Sequence, residues 1–180
     1  MDLPEDKCVI LIGMAGAGKS TIGRKLAQML NWEFLDTDNF LEQIFGQSLQ
    51  TIKNQLSKEQ FIALEAQTVQ KINLQKNVIA TGGSVVYNPE TISYLHNLGP
   101  LIYLRTPLSL IEQRIADNPK RGLTIAPGQS IADLFLERQA LYEESADFII
   151  ECGELSHEVY VQRVYQALLK HWENSLRLFD

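Results

Sequence analysis

Short apolar runs alternate along the chain with longer stretches in which apolar residues recur every three or four positions. The runs at 9–12, 33–35, 78–80, 101–104 and 148–150 have the length and flanking turn residues of strands. Between and after them the spacing predicts helices over about 19–30, 39–45, 58–73, 89–97, 107–116, 130–144 and 158–178. Ser57, Asn88, Thr106 and Ser156 stand where a side-chain oxygen caps a first turn. Pro89 and Pro107 follow two of these caps, at the first helical position, where the missing N–H costs nothing. Such alternation makes a parallel sheet with helices on both faces, an α/β fold. Residues 117–129 lack periodicity and hold Pro119, Gly122, Pro127 and Gly128. The alternation continues on either side, so this stretch reads as a mobile loop or lid within a single domain spanning 1–180.

The first strand runs directly into Gly13, a four-residue spacer, then Gly18, Lys19, Ser20 and Thr21, the P-loop pattern in its strand-to-helix setting. Successive backbone N–H groups must wrap phosphates, and the small residues Gly13, Ala15, Gly16, Ala17 and Gly18 let them approach. Lys19 neutralises β and γ oxygens, and Ser20 offers a hydroxyl to Mg²⁺. The helix opening near Lys19 points its unpaired N–H groups and positive dipole end at the same anion. This stretch predicts a nucleoside triphosphate binder.

Composition narrows the partners. The chain has 180 residues, 45% of them hydrophobic, enough for a sizeable core. Its 16 basic and 22 acidic residues give a net charge of −6, with no basic cluster, against a general nucleic-acid or membrane-surface binder. Cys8 and Cys152 border apolar runs and read as buried strand residues in a reducing compartment. The acidic start MDLPEDK has no apolar signal region and no run spans a membrane, so a cytoplasmic protein is expected.

Three further segments carry candidate chemistry. Asp36-Thr37-Asp38 closes the second strand, at the sheet end where ligands gather in open α/β folds. One carboxylate there can serve a Mg²⁺ shell and the other an acceptor hydroxyl; a helix cap with a dipole-favoured acid explains the same pair. Thr81-Gly82-Gly83-Ser84 follows the third strand, where glycines permit close approach to a ligand or make a simple turn. Arg114, Arg121 and Arg138 surround the lid and suit the charge of phosphoryl transfer, although a lone arginine is usually a solvated surface residue.

Taken together, GMAGAGKSTIGRKLA, FLDTD with a following GQS, ATGG, Lys120-Arg121-Gly122-Leu123 and ERQALYEESAD resemble the shikimate kinase family in order and spacing over nearly the whole chain. The resemblance implies a three-layer P-loop NTPase fold of the nucleoside-monophosphate-kinase type, its five-stranded parallel sheet in order 2-3-1-4-5. It implies ATP with Mg²⁺, a water-mediated metal role for Asp36 and contact of Asp38 with the substrate hydroxyl. Arg121 would be the lid arginine, Arg114 would lie on the adenine, and Arg138 would grip the substrate carboxylate beside Gly82, Gly83 and Ser84.

Two departures fall on the acceptor side. Phe61-Ile62-Ala63-Leu64-Glu65 has Ile62 where the family usually carries a second carboxylate-binding arginine, and Lys58, four residues earlier on the same helix face, is a candidate stand-in. Ser84 replaces a third glycine, narrowing the pocket and adding a donor. The expected reaction is in-line transfer from ATP to a hydroxyl of a small carboxylate metabolite, shikimate first. Lys19, Asp38 and Arg121 are the catalytic candidates, Ser20 and Asp36 the metal ligands, and a monomer is expected. Another hydroxy acid such as homoserine or gluconate, or a non-catalytic nucleotide binder, are the competing readings. No guanine signature Asn-Lys-x-Asp follows the P-loop, which disfavours a GTPase.

Overall fold

The computed structural model describes residues 3–4, 6–117, 123, 125 and 128–176, without the side chains of 174–176. Most of the expected lid at 117–129 lies outside the described residues, Arg121 included. The strands β1 (Val9–Ile12), β2 (Glu33–Asp36), β3 (Asn77–Ala80), β4 (Leu101–Arg105) and β5 (Phe148–Glu151) form one sheet. All pairings are parallel and the order is β2-β3-β1-β4-β5, as the resemblance implied. Central β1 aligns Leu11 with Ala80 on one side and Ile102 on the other. All four of its residues are fully buried, which is why it reads as an unbroken apolar run instead of an alternating one.

The helices are α1 (Lys19–Leu30), α2 (Thr37–Phe45), α3 (Leu49–Gln55), α4 (Lys58–Val69), α5 (Pro89–Leu98), α6 (Leu108–Ala116), α7 (Ile131–Ser145) and α8 (His157–Leu176). Ile22, Leu26 and Ala27 form the buried stripe of α1, which packs on β2, β3 and α8. Gly23 permits that approach: a Cβ there would stand 2.6 Å from the Phe34 ring. A second, smaller core of Leu41, Ile52 and Phe61 ties α2, α3 and α4 together beside the sheet. The Ser57–Gln60 capping box starts α4, and Asn88 with Pro89 behind it starts α5.

Five local features differ from expectation. Helix α3 is not among the elements the spacing predicts, because seven residues are too few to signal a helix without the tertiary packing of Ile52. Helix α4 stops at Val69, short of 73: tight bonds from Lys71 N to Thr68 O (3.2 Å) and Ile72 N to Val69 O (3.0 Å) turn the chain toward β3. Thr106 does not cap α6, since its hydroxyl donates to Ala17 O at 3.3 Å, beneath the P-loop. Pro107 therefore occupies the cap position itself and not the first helical one. Finally, α2 begins at Thr37, with Asp36 as its cap.

Candidate active site

Beyond β1 the chain folds into a loop that only glycine follows easily, with Gly16 at φ 85° and Gly18 at φ 95°, both left-handed. Gly18 is the cap of α1, so the loop delivers its N–H groups to the helix N-terminus. Lys19 is buried, and its ammonium donates to Gly13 O (2.6 Å) and Met14 O (2.9 Å), curled over the loop. Arg114 donates to Gly16 O at 2.8 Å, bracing the loop from α6. Thr21 sits exposed in the first turn of α1.

The two readings of the acidic pair prove compatible. Asp36 Oδ1 accepts from Asp38 N (3.1 Å) and Asn39 N (3.3 Å), capping α2, while Oδ2 accepts the Ser20 hydroxyl at 2.6 Å. Ser20 and Asp36 thus place two oxygen donors at the loop. Among the described residues no group of three His, Cys, Asp or Glu could hold a metal alone. That donor set fits Mg²⁺, which keeps water and phosphate oxygens in its shell, better than a metal needing an all-protein cage.

Asp38 turns toward the glycines after β3. Gly82 N donates to Thr37 Oγ1 at 2.9 Å, which seats the turn against the start of α2. A Cβ at Gly82 would collide with Glu65 Oε1 and stand 2.8 Å from Asp38 Oδ1. At Gly83 it would stand 2.9 Å from Arg138 Nη1 and 3.7 Å from Ala15 N. The two glycines are therefore where two carboxylates, a guanidinium and the P-loop converge. Arg138 is buried on α7; its Nε donates to the Tyr87 hydroxyl at 3.2 Å, and the Tyr87 hydroxyl donates to Glu137 at 2.6 Å. Burial works against the Arg138 charge, but Tyr142, Tyr87 and Glu65 together hold its pKa above the ordinary value. Tyr142 donates to Gly83 O at 2.6 Å and stacks on Tyr103, so α7 fixes both the turn and the arginine.

Glu65 closes the motif at 61–65 on α4, and the structure makes it central. It is fully buried; Ser84 donates to Oε2 at 2.5 Å, and among the described residues Oε1 has no hydrogen-bond partner. Burial, and then the neighbouring charge of Asp38, push its carboxyl up to about 7. The extra donor expected of Ser84 is thereby spent on Glu65. Lys58 does not stand in for the missing arginine: it pairs with Glu137 at 3.5 Å and lies over the Tyr87 ring. Lys53, on the unforeseen α3, lines the cavity instead, together with Asp38, Glu65 and Arg138. On its other side the same cavity is lined by Ala15, Lys19, Ser20 and Asp36, so phosphate-loop and acceptor groups face one space.

The comparisons with known proteins agree with that geometry. The shikimate kinase family model matches residues 15–169. A "Shikimate kinase 2" of Yersinia pestis (strain Pestoides F) is 31% identical over 165 residues, 89% of this chain and 94% of that protein. A "Shikimate kinase" of Caldanaerobacter subterraneus is 35% identical over 167 residues, 91% of this chain and 97% of that one. Among solved structures, the Acinetobacter baumannii shikimate kinase in complex with shikimate superposes with a TM-score of 0.85 at 31% identity, covering 92% of this chain and 94% of its own.

Proposed function

The chain belongs to the shikimate kinase family, and from that premise we propose that it transfers the γ-phosphoryl group of ATP to a hydroxyl of shikimate. One observation carries the reading: a single cavity joins Lys19 and Ser20 of the P-loop to Asp38 and Arg138 on the acceptor side. The complex of the Acinetobacter relative with shikimate supports the choice of acceptor.

In this reading the loop N–H groups and Lys19 take the β and γ phosphate charge, the ammonium exchanging its carbonyl partners for phosphate oxygens. Ser20 and Asp36 would hold Mg²⁺, which when bound neutralises charge on the nucleotide. Asp38 orients the acceptor hydroxyl and receives its proton on a carboxylate oxygen. Arg138 binds the acceptor carboxylate and holds the ring in line with the phosphoryl group. Arg121, outside the described residues, carries charge building on the transferred group, within a lid at 117–129 of a single kinase domain. Arg114, which donates to Gly16 O of the loop, lies on the adenine. Every group comes from one chain, in support of a monomer. Two buried free cysteines support a reducing, cytoplasmic setting. Among the described residues no helix is long and apolar enough to cross a membrane.

A coupled ADP-release assay over shikimate, homoserine and gluconate tests the proposal. ADP release dependent on shikimate, with the other two near background, is expected. Robust turnover of homoserine or gluconate without shikimate activity would overturn it.

A further inference from the structure

The acceptor side of the cavity presents two acids, Asp38 and Glu65, and one arginine, Arg138. An acceptor carboxylate brought there leaves water to meet that balance of charge. With Asp38 charged, and Glu65 also charged once the pH passes about 7, Arg138 as the sole cation would leave the anion little or no net attraction, because Coulomb interactions strengthen as the dielectric falls. The family's usual second arginine is absent, and Ile62 in its place is only partly buried and supplies no charge.

Lys53 alters that balance. It reaches the same cavity from α3, one element earlier than Ile62, and its charge is felt at Glu65. Its ammonium lies 4.7 Å from the centre of the Phe61 ring, the buried aromatic that binds α3 to α4. The face of that ring holds the ammonium in a preferred place, from which Lys53 also lines the cavity. A hollow lined by Lys53, Phe61 and Leu123 adjoins this position and shares Lys53 and Leu123 with the cavity. Lys58 is directed elsewhere, at Glu137 and Tyr87.

Resting on the shikimate reading of this cavity, we infer that Lys53 is a specificity-determining residue: it binds the acceptor carboxylate opposite Arg138, supplying from α3 the second positive charge that position 62 lacks. A lysine is a point charge without the guanidinium fork. Lys53 therefore supplies attraction for the anion, while Arg138, locked by Tyr87, supplies direction.

The test is steady-state kinetics of the unaltered protein, Lys53→Met, Lys53→Gln, Lys53→Arg and Lys53→Met/Ile62→Arg. Acceptors are shikimate and its carboxamide analogue. Loss of a charge-assisted contact should raise the shikimate KM of Lys53→Met and Lys53→Gln by roughly ten- to a hundredfold, with the ATP KM within about twofold. Lys53→Arg should keep most of the affinity, and Ile62→Arg should recover much of it in the double variant. The carboxamide, having no charge to lose, should bind the unaltered protein and Lys53→Met alike. Unchanged shikimate KM in both neutral variants, or equal losses for acid and amide, overturns the inference while shikimate turnover by the unaltered protein keeps the proposed function. No shikimate turnover by the unaltered protein overturns both.

Discussion

Glu65 shows how one residue can tie stability to pH. Its carboxyl is held at about 7 by burial first and the Asp38 charge second, against an ordinary 4.5. Across that interval the folded protein keeps a proton that the unfolded chain has released, so stability falls as pH rises from about 4.5 to about 7. At about 1.4 kcal/mol per pH unit, the ionised carboxyl costs roughly 3 kcal/mol once the pH is above both values. Glu65→Gln keeps the shape and an oxygen for the Ser84 hydroxyl while removing the ionisation. It should flatten the fall in melting temperature between pH 5 and 7.5 and leave the variant the more stable protein at pH 8. Thermal melts of both proteins across that range decide it: parallel curves would show that Glu65 does not stay protonated. The sequence put Glu65 in view but not its state, since a glutamate in a helical pattern is ordinarily solvated. Only the Ser84 contact and the closure of α4 over the glycine turn reveal it.

At the scale of elements, the site was legible where local chemistry dictates backbone shape. The P-loop glycines, the Asp36 cap and the glycine turn after β3 are local events, and each stands where its residues put it. Helix α3 was not legible, although Ser48 caps it, because its seven residues hold their form through Ile52 packing on α2 and α4. Missing α3 meant missing Lys53. The same nonlocal packing sent Lys58 toward Glu137 and turned Thr106 from a helix cap into a brace for the P-loop. The glycine turn gives the element-scale prediction. In Gly82→Ala the new methyl meets Glu65 and Asp38, so one of the carboxylates must move. Displacement by about an ångström costs on the order of a hundredfold in rate. kcat/KM for the acceptor should drop by that order, while nucleotide affinity, measured by titration of the protein with ATP, stays within a few fold. Equal loss of both would show that the turn supports the whole domain and not the acceptor side.

Over the whole molecule, five parallel strands form the sheet, with β1, β3 and β4 buried and the edge strands β2 and β5 partly exposed, and the loops at their carboxyl ends meet above β1 and β3. The alternation of apolar runs was sufficient to read strands and most helices. The strand order came from the family resemblance, because spacing along one chain does not say which strands are neighbours. That architecture gives the phosphate loop a rigid base, with Thr106 and Arg114 both donating to its carbonyls. A ligand bound there should stabilise the domain by mass action: at a hundred times Kd, ATP with Mg²⁺ contributes about 2.7 kcal/mol. For a chain of this length that is a rise in Tm of about 5–10 °C. Lys19→Ala removes the donor to Gly13 O and Met14 O but no strand or core side chain, so circular dichroism should stay native with a drop in Tm of a few degrees. The same variant should lose most of the ATP-dependent rise, and its turnover should fall by at least about a hundredfold. A native-sized ATP shift with more than a few per cent of the rate would show that phosphate charge is carried elsewhere in the loop, and that Lys19 serves only to close it.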